Sequence, residues 1–280
     1  MEVLFPRTLE ELNKMRADRS DGLIMAGGTD LLVKLRHTGQ TPPALFCMER
    51  MEELQQLDIL DEEIVIGAAV NLQRLLECEN VKRELTALYQ AVSELASPPV
   101  RHSATLVGNV CTASPAGDTL PPLYVLDAVV EVCSAAGYRR QPVADFITGP
   151  GRTTLQVGEM VTCIRVPRPA AIMRSLYYKV GKRKAMAISV ASMATRLATG
   201  DDGTITDVKL AWGSVGPTVA TAPAAEAYLL GRTLSVECLS EAGRLASAAV
   251  CPIDDLRASA GYRRGVAGNL LLRLAQIGLK

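Results

Sequence analysis

The apolar run Leu23-Ile24-Met25 breaks at Gly27-Gly28 and resumes, through Thr29 and Asp30, as an amphipathic stretch from Leu31 to Arg36. That pattern dictates a strand, a tight turn and a helix in quick succession. A helix that starts directly after glycines leaves backbone N–H groups without intrahelical acceptors. Together with the helix dipole, those groups attract an anion such as phosphate. Taken alone, the segment also fits an ordinary strand-to-helix turn with Thr29 or Asp30 as N-cap. It is neither the G-x-G-x-x-G dinucleotide fingerprint nor the G-x-x-x-x-G-K-[ST] phosphate loop, so a nucleotide held here sits in another fold. A second stretch of the same character follows, Thr105-Leu-Val-Gly108-Asn109 with Ser114-Pro115-Ala116-Gly117-Asp118. Two such loops can hold a diphosphate between them.

Composition narrows the function classes. At 280 residues and 48% hydrophobic, the chain can bury a sizeable core, and its length suits two domains. The 30 basic and 30 acidic side chains cancel, which argues against nucleic acid or an anionic membrane as the main partner. Met1-Glu-Val-Leu-Phe-Pro6 lacks the basic and apolar regions of a signal peptide, and no apolar run approaches the roughly 18 residues of a membrane span. A soluble cytoplasmic protein is expected. The seven cysteines (Cys47, Cys78, Cys111, Cys133, Cys163, Cys238, Cys251) form no C-x-x-C pair and read as reduced, mostly buried thiols. With only His37 and His102 to add, neither a metal site nor an intrinsic iron–sulfur cluster is expected. The same shortage weighs against a Ser-His-Asp or Cys-His hydrolase, His37 lying on a charged, solvated helix end.

Along the chain, Thr8-Leu-Glu-Glu11 has capping-box spacing and predicts a helix to about Asp18. Strands are expected at 22–25, 44–48 and 64–67, with a helix over 30–37 between the first two. Asn71 caps a short helix, and a longer one runs from about Val81 to Ala96, ended by Ser97-Pro98-Pro99. Pro121-Pro122 precede a helical turn or two over 123–128. Strands at 129–133, 138–143 and 160–166 lead to Pro167-Arg168-Pro169, the best linker candidate. Beyond it, strands at 176–180, 188–198 and 208–212 with turns such as Gly200-Asp-Asp-Gly203 suggest an antiparallel sheet. Helices follow at about 222–230, 236–250 and 261–277. Two α+β domains divided near residue 170 result.

At this point the residues resemble the FAD-binding (medium) subunits of the molybdenum hydroxylases, which include bacterial xanthine, carbon monoxide and nicotinate dehydrogenases. The resemblance spans essentially the whole chain. It rests on Ala26-Gly-Gly-Thr-Asp-Leu31, Val100-Arg-His-Ser-Ala-Thr-Leu-Val-Gly-Asn-Val110, Ala113-Ser-Pro-Ala-Gly-Asp118 and Thr148-Gly-Pro-Gly151. Tyr178-Lys179, Arg183-Lys184-Ala-Met-Ala-Ile-Ser189 and Asp255-Leu-Arg-Ala-Ser-Ala-Gly-Tyr-Arg263 complete it. Each is loose; in this order and spacing they are specific. The resemblance implies an α+β fold: a two-subdomain FAD-binding domain of the vanillyl-alcohol-oxidase (PCMH) type over 1–169, with subdomains about 1–55 and 56–169, then a C-terminal domain over 170–280 with antiparallel sheet and helices.

It also implies a role for both loops, which would hold the FAD diphosphate on backbone N–H donors that glycine lets approach closely. Ala26, Gly27, Gly28, Thr29 and Asp30, flanked by Met25 and Leu31, would form the first loop. Ala104, Thr105, Gly108, Asn109, Ser114, Ala116 and Gly117 would form the second. Asp118 would reach the ribose or adenosine side, because a carboxylate beside the diphosphate is repelled. Lys179 either matches a family lysine beside the isoalloxazine ring, where a cation stabilises the reduced flavin, or begins a solvated cluster with Lys182, Arg183 and Lys184.

Departures from the family pattern carry their own expectations. Val107 replaces the first glycine of a usual Gly-Gly-Asn and is expected to face the protein. His102 stands where Asn is common and reads as a hydrogen-bonded loop residue. Ala187 replaces a common Asp. The tail reads as a helix capped by Ser259, with Tyr262, Leu270 and Leu274 on its buried face, serving packing or subunit contact.

The resemblance implies an electron-transfer flavoprotein. A large partner subunit would carry a molybdopterin-cytosine-dinucleotide-type Mo centre, and a small one two [2Fe–2S] clusters, in a dimer of heterotrimers. FAD on this chain would pass the electrons to NAD⁺. Arg183-Lys-Ala-Met-Ala-Ile-Ser189 is closest to purine- or nicotinate-type members, pointing to a xanthine dehydrogenase-like complex. The alternatives are the FAD subunit of a nicotinate, carbon monoxide or other heterocycle dehydrogenase, a free-standing flavin oxidoreductase, or a scaffold whose glycine loops bind nothing.

Overall fold

Ala44-Leu-Phe-Cys47 is buried on both faces, as the central strand of a small parallel sheet must be. The sheet comprises β1 (Glu2–Leu4), β2 (Leu23–Met25) and β3 (Ala44–Cys47) in the order β1-β3-β2, with α1 (Leu9–Ala17) and α2 (Leu31–Thr38) as the crossovers. The computed structural model describes residues 1–17, 19–170, 173–183 and 185–276, so Asp18, the expected end of α1, lies outside the described residues. Thr8 Oγ1 accepts from the Glu11 N–H at 3.1 Å, and the Glu11 carboxylate accepts from the Arg7 N–H at 2.7 Å, a variant of the expected capping box.

The chain continues through β4 (Leu57–Ile59), β5 (Glu63–Gly67), α3 (Leu72–Glu77), α4 (Glu79–Glu84) and α5 (Thr86–Glu94). Asn71 caps α3 by accepting from the Arg74 N–H at 2.9 Å. The single helix expected over 81–96 is two, broken at Leu85 (φ −111°, ψ 48°). The break allows Val81 of α4, Leu85 itself and Ala87, Leu88, Ala91 and Val92 of α5 all to be buried. Ser97-Pro98-Pro99 does not simply end a helix: both prolines occupy the first turn of α6 (Pro98–Arg101), where a missing N–H costs nothing. Pro121 and Pro122 likewise sit inside α8 (Leu120–Val125), which follows α7 (Leu106–Thr112).

Next come β6 (Val129–Ser134), β7 (Gly137–Pro142), α9 (Val143–Phe146), β8 (Ile147–Gly149), β9 (Arg152–Thr153) and β10 (Met160–Pro167). β8 pairs with β9, and an antiparallel sheet runs in the order β4-β5-β10-β6-β7. Period-two burial puts Ile64, Ile66, Val130, Val132, Ile164 and Val166 in the core. Pro167-Arg168-Pro169 is not a free linker. The Arg168 guanidinium bonds the Glu84 carboxylate at 2.6 Å and the Leu60 carbonyl at 3.0 Å, and its N–H reaches the Glu62 carbonyl at 2.8 Å.

The C-terminal part is an antiparallel sheet of β11 (Arg174–Gly181), β12 (Ser189–Thr199), β13 (Ile205–Gly213) and β14 (Ala220–Thr221), with α10 (Pro223–Leu229), α11 (Val236–Ala249) and α12 (Ala260–Leu270). A 3₁₀ segment, Leu271–Gln276, replaces the rest of the helix expected to 277, and Ile277 lies outside the described residues. β12 is buried along almost its whole length because both sheet faces are covered. Ala191, Met193, Leu197 and Trp212 pack under the C-terminal helices, while Tyr177, Ala194 and Ala211 join the core of the preceding domain. Trp212, fully buried, donates its indole N–H to the Ala267 carbonyl at 3.0 Å, tying α12 to the sheet. The exposed edge of β11 is covered by α5: the Tyr177 N–H donates to Gln90 Oε1 at 2.8 Å and the Ala87 N–H to Ser175 Oγ at 3.1 Å.

Two outcomes follow from these contacts. Hydrogen bonding to Arg168 holds the Glu84 carboxyl down to about 2, against an ordinary 4.5. A lowered folded value means the pair stabilises the fold above pH 4.5 and loses that contribution as pH falls from 4.5 towards 2. Arg168→Gln should shrink this acid dependence, with Arg83 and Asn80 still bonding the carboxylate, and should lower stability at neutral pH. Urea unfolding at pH 7 and pH 3.5 checks it; an unchanged difference between the two pH values would contradict the assignment. Trp212→Phe should cost about 1–3 kcal/mol through the orphaned Ala267 carbonyl and lost packing, read in the same assay.

Candidate cofactor cradle

The two glycine-containing loops touch. A side chain at Gly27 would place its first carbon 1.7 Å from the Ser103 carbonyl oxygen, so only glycine lets the first loop lie against the start of the second. Gly28 adopts φ +67°, a left-handed turn that aims the chain into α2. Asp30 occupies the capping position, yet it is helical and its carboxylate bonds no N–H of the helix start. Its Oδ2 instead lies 3.4 Å from the Thr112 hydroxyl at the end of α7, which also has the Gly108 carbonyl within reach of its one proton at 3.0 Å. Among the described residues, the N–H groups of Gly28, Thr29, Asp30 and Leu31 meet no protein acceptor. The ordinary-turn reading with a capping Thr29 or Asp30 is therefore not what forms; the helix start is left open to an external acceptor.

The second loop is fastened on several sides. Thr105 caps α7 by accepting from the Gly108 N–H at 2.9 Å, and the Ala104 carbonyl accepts from the Leu72 N–H at 2.8 Å. Asn109 Oδ1 accepts from the buried Thr119 hydroxyl at 2.6 Å, fixing which way its amide points. After Ala113 (φ +47°), Ser114 organises a tight turn: its hydroxyl accepts from the Ala116 N–H at 3.3 Å and its carbonyl from the Gly117 N–H at 2.9 Å. The Thr148-Gly-Pro-Gly151 motif closes on the same turn, the Gly151 N–H donating to the Ala113 carbonyl at 3.0 Å. Val107 is buried in the core, as expected of a residue facing the protein.

Asp118 and Lys179 are joined where the sequence reading separates them along the cofactor. Lys179 Nζ donates to Asp118 Oδ2 at 2.5 Å and the Tyr177 hydroxyl to Oδ1 at 2.8 Å, so both carboxylate oxygens are engaged and the lysine is paired. The Lys179 side chain is 5% exposed, which removes it from any solvated cluster. Lys182 and Arg183 are exposed, bonding the carbonyls of Leu256 and Met186. Lys184 lies outside the described residues. Burial pushes the Asp118 carboxyl above its ordinary value, opposed by the Lys179 charge and the two hydrogen bonds. Burial and the same carboxylate raise the Tyr177 hydroxyl well above 10.

The sequence reading misses Tyr177. It singles out Tyr178, but β-strand alternation places Tyr177 and Lys179 on one face and turns Tyr178 towards the C-terminal helices. The Tyr177-x-Lys179 spacing is the signal that finds it. His102 is exposed and, among the described residues, its side chain bonds nothing, unlike the hydrogen-bonded loop residue expected; His37 is exposed at the end of α2. Ser259 caps α12 and Leu270 and Leu274 are buried, but Tyr262 is 55% exposed, and the buried residue of that pair is Arg263.

Residues 1–169 match the family model of the FAD binding domain in molybdopterin dehydrogenase, and residues 176–277 that of the CO dehydrogenase flavoprotein C-terminal domain. The nicotinate dehydrogenase FAD-subunit of Eubacterium barkeri is 31% identical over 85% of this chain and 82% of its own length. The xanthine dehydrogenase FAD-binding subunit of Escherichia coli O157:H7 is 30% identical over 91% of this chain and 88% of its own. A chain of carbon monoxide dehydrogenase from Hydrogenophaga pseudoflava superposes with a TM-score of 0.93 at 28% identity, covering 100% of this chain and 97% of that one. Two loops meeting at a glycine, an open helix start and a match along the whole length agree: the chain belongs to the family of FAD-binding subunits of the molybdenum hydroxylases.

Proposed function

We propose that this chain is the flavin subunit of a xanthine dehydrogenase-like complex in the cytoplasm, taking electrons from the [2Fe–2S] clusters of a small subunit and delivering them to NAD⁺. A molybdopterin-bearing large subunit performs the hydroxylation, and the assembly is a dimer of heterotrimers. The observation that carries the cofactor assignment is the Gly27–Ser103 contact, which packs the open helix start of one loop against the other. The relatives named for xanthine and nicotinate dehydrogenases support the substrate class. A nicotinate-type complex is the second reading, favoured by the 31% identical relative. The family match over residues 1–169 supports a domain boundary at 169/170, and the separate sheets β1-β3-β2 and β4-β5-β10-β6-β7 support a subdivision of the first domain near residue 55.

FAD, when bound, supplies a centre that takes up and releases two electrons. The chain's own residues do the rest. The N–H groups of Gly28 to Leu31 receive the diphosphate charge, with Met25 and Ala26 backing the turn. Ala104, Thr105, Gly108, Asn109, Ser114, Ala116 and Gly117 shape the opposite wall. Lys179 supplies a positive charge whose position Asp118 and Tyr177 fix.

Three outcomes test the reading. The purified chain should carry, or be reconstituted to show, a flavin absorption spectrum, and Gly28→Val should abolish retention; a colourless wild type would sink the assignment. Lys179→Met leaves Asp118 uncompensated and should lower the flavin potential, whereas Asp118→Asn should raise it, by roughly 30 mV for each tenfold change in relative stabilisation of the reduced form. Shifts of the same sign in both variants would remove Lys179 from the flavin's surroundings. Anaerobic NADH should bleach the bound flavin, and identifying the co-purifying large subunit separates the xanthine from the nicotinate reading.

A further inference from the structure

Arg263 is among the most buried charged residues described, at 3% exposure, although the sequence reading gives the buried face of this helix to Tyr262. Its Nη1 donates to the Val190 carbonyl at 2.7 Å and the Ser214 carbonyl at 3.0 Å, and its Nη2 to Asp255 Oδ1 at 2.6 Å. Asp255 is itself held by the N–H groups of Arg257 at 2.7 Å and Ala258 at 3.3 Å. A buried guanidinium with this set of acceptors is a fixed point, not a solvated charge.

Ser214 stands between that fixed point and the second loop. It adopts φ +64°, a left-handed backbone that a residue with a side chain adopts only when its surroundings hold it there. Its carbonyl faces Arg263, while its N–H donates to the Pro115 carbonyl at 2.9 Å. Pro115 is the residue around which Ser114, Ala116 and Gly117 turn. Proline supplies no N–H, so its carbonyl is the backbone group of that residue through which the loop can be gripped. The neighbouring Val215 carbonyl accepts from the Cys251 N–H at 3.0 Å, which keeps the segment from swinging away.

We infer that Arg263 is a positioning residue for the cofactor: by holding Ser214 in its left-handed conformation it fixes Pro115, and hence the Ser114–Gly117 turn, from the far side of the domain junction. The inference rests on the reading of that turn as one wall of the FAD cradle. It assigns the Asp255–Arg263 tail a part in cofactor retention rather than in packing or subunit contact alone.

The test uses the full chain and two readouts. In the FAD-free protein, Arg263→Lys should speed amide exchange at Ser214, Ala116 and Gly117 while leaving β6, in the other sheet, at wild-type rates. In the same variant the Kd for FAD, by flavin fluorescence titration, should rise about tenfold, the scale of one charge-assisted hydrogen bond. Adding Ser214→Gly should restore part of the affinity, because glycine adopts the left-handed backbone unaided. If Arg263→Lys fails to fold, Asp255→Asn keeps the guanidinium and its carbonyl bonds and should shift both readouts in the same direction by less. Unchanged exchange at the three amides, or a uniform acceleration that includes β6, overturns the inference. A wild-type chain that binds no FAD refutes the cofactor reading instead, and the exchange measurement still decides whether Arg263 fixes the turn.

Discussion

The cradle depends on one steric fact: at residue 27 there is room for a hydrogen and nothing larger beside the Ser103 carbonyl. That contact brings the start of α2 to the mouth of the second loop, so unpaired N–H groups from one loop share a space with the other. Dispersed backbone donors suit a diphosphate in a chain with zero net charge, since they offset the anion without a cluster of arginines needing its own counter-charges. Asp30 fits the same economy. A carboxylate capping the helix start would compete with an external anion, and here it turns away to Thr112.

The C-terminal sheet braces the candidate cradle. β12 is a buried strand because helices cover one face and the FAD-binding domain the other, and Ala194 and Ala211 are small enough to let that domain approach. α5 covers the edge of β11, so Tyr177 and Lys179 are held against Asp118, and the end of β13 delivers Ser214 to Pro115. A site assembled at a junction of domains places its polar groups more firmly than either domain alone, since each is braced from both sides.

What was legible in the sequence is what local chemistry decides. The strand–glycine–helix of residues 23–38, the Asn71 and Ser259 caps and four strands of the five-stranded sheet follow from short-range rules and form, while β4 carries too short a pattern to be read. The failures are long-range. Leu85 breaks a helix because the core needs its side chain, which no propensity at that position announces. Arg263 is buried because its acceptors arrive from β12, the residue after β13 and the segment before α12, none of them near it in sequence except Asp255. Tyr177 goes unnamed because motif adjacency says nothing of strand facing, and the Asp118–Lys179 pairing, sixty-one positions apart in sequence, leaves no local signal.

The state of the ionisable groups bears on the choice between an electron-transfer subunit and a free-standing flavin oxidase. An oxidase acting on an organic substrate needs an acid or base with a lone pair or proton to spare at the flavin. Asp118 accepts from two donors, Tyr177 commits its proton to Asp118, and Lys179 is paired with the same carboxylate. Burial raises both the carboxyl and the phenol; Asp118 accepts from both neighbours, and Lys179 also reaches the Glu94 carbonyl at 3.4 Å, so the three form a connected set. Such a set holds a charge in place. A lysine and a carboxylate already bonded to each other fit the proposed electron-transfer role better than one in which this chain handles a substrate of its own.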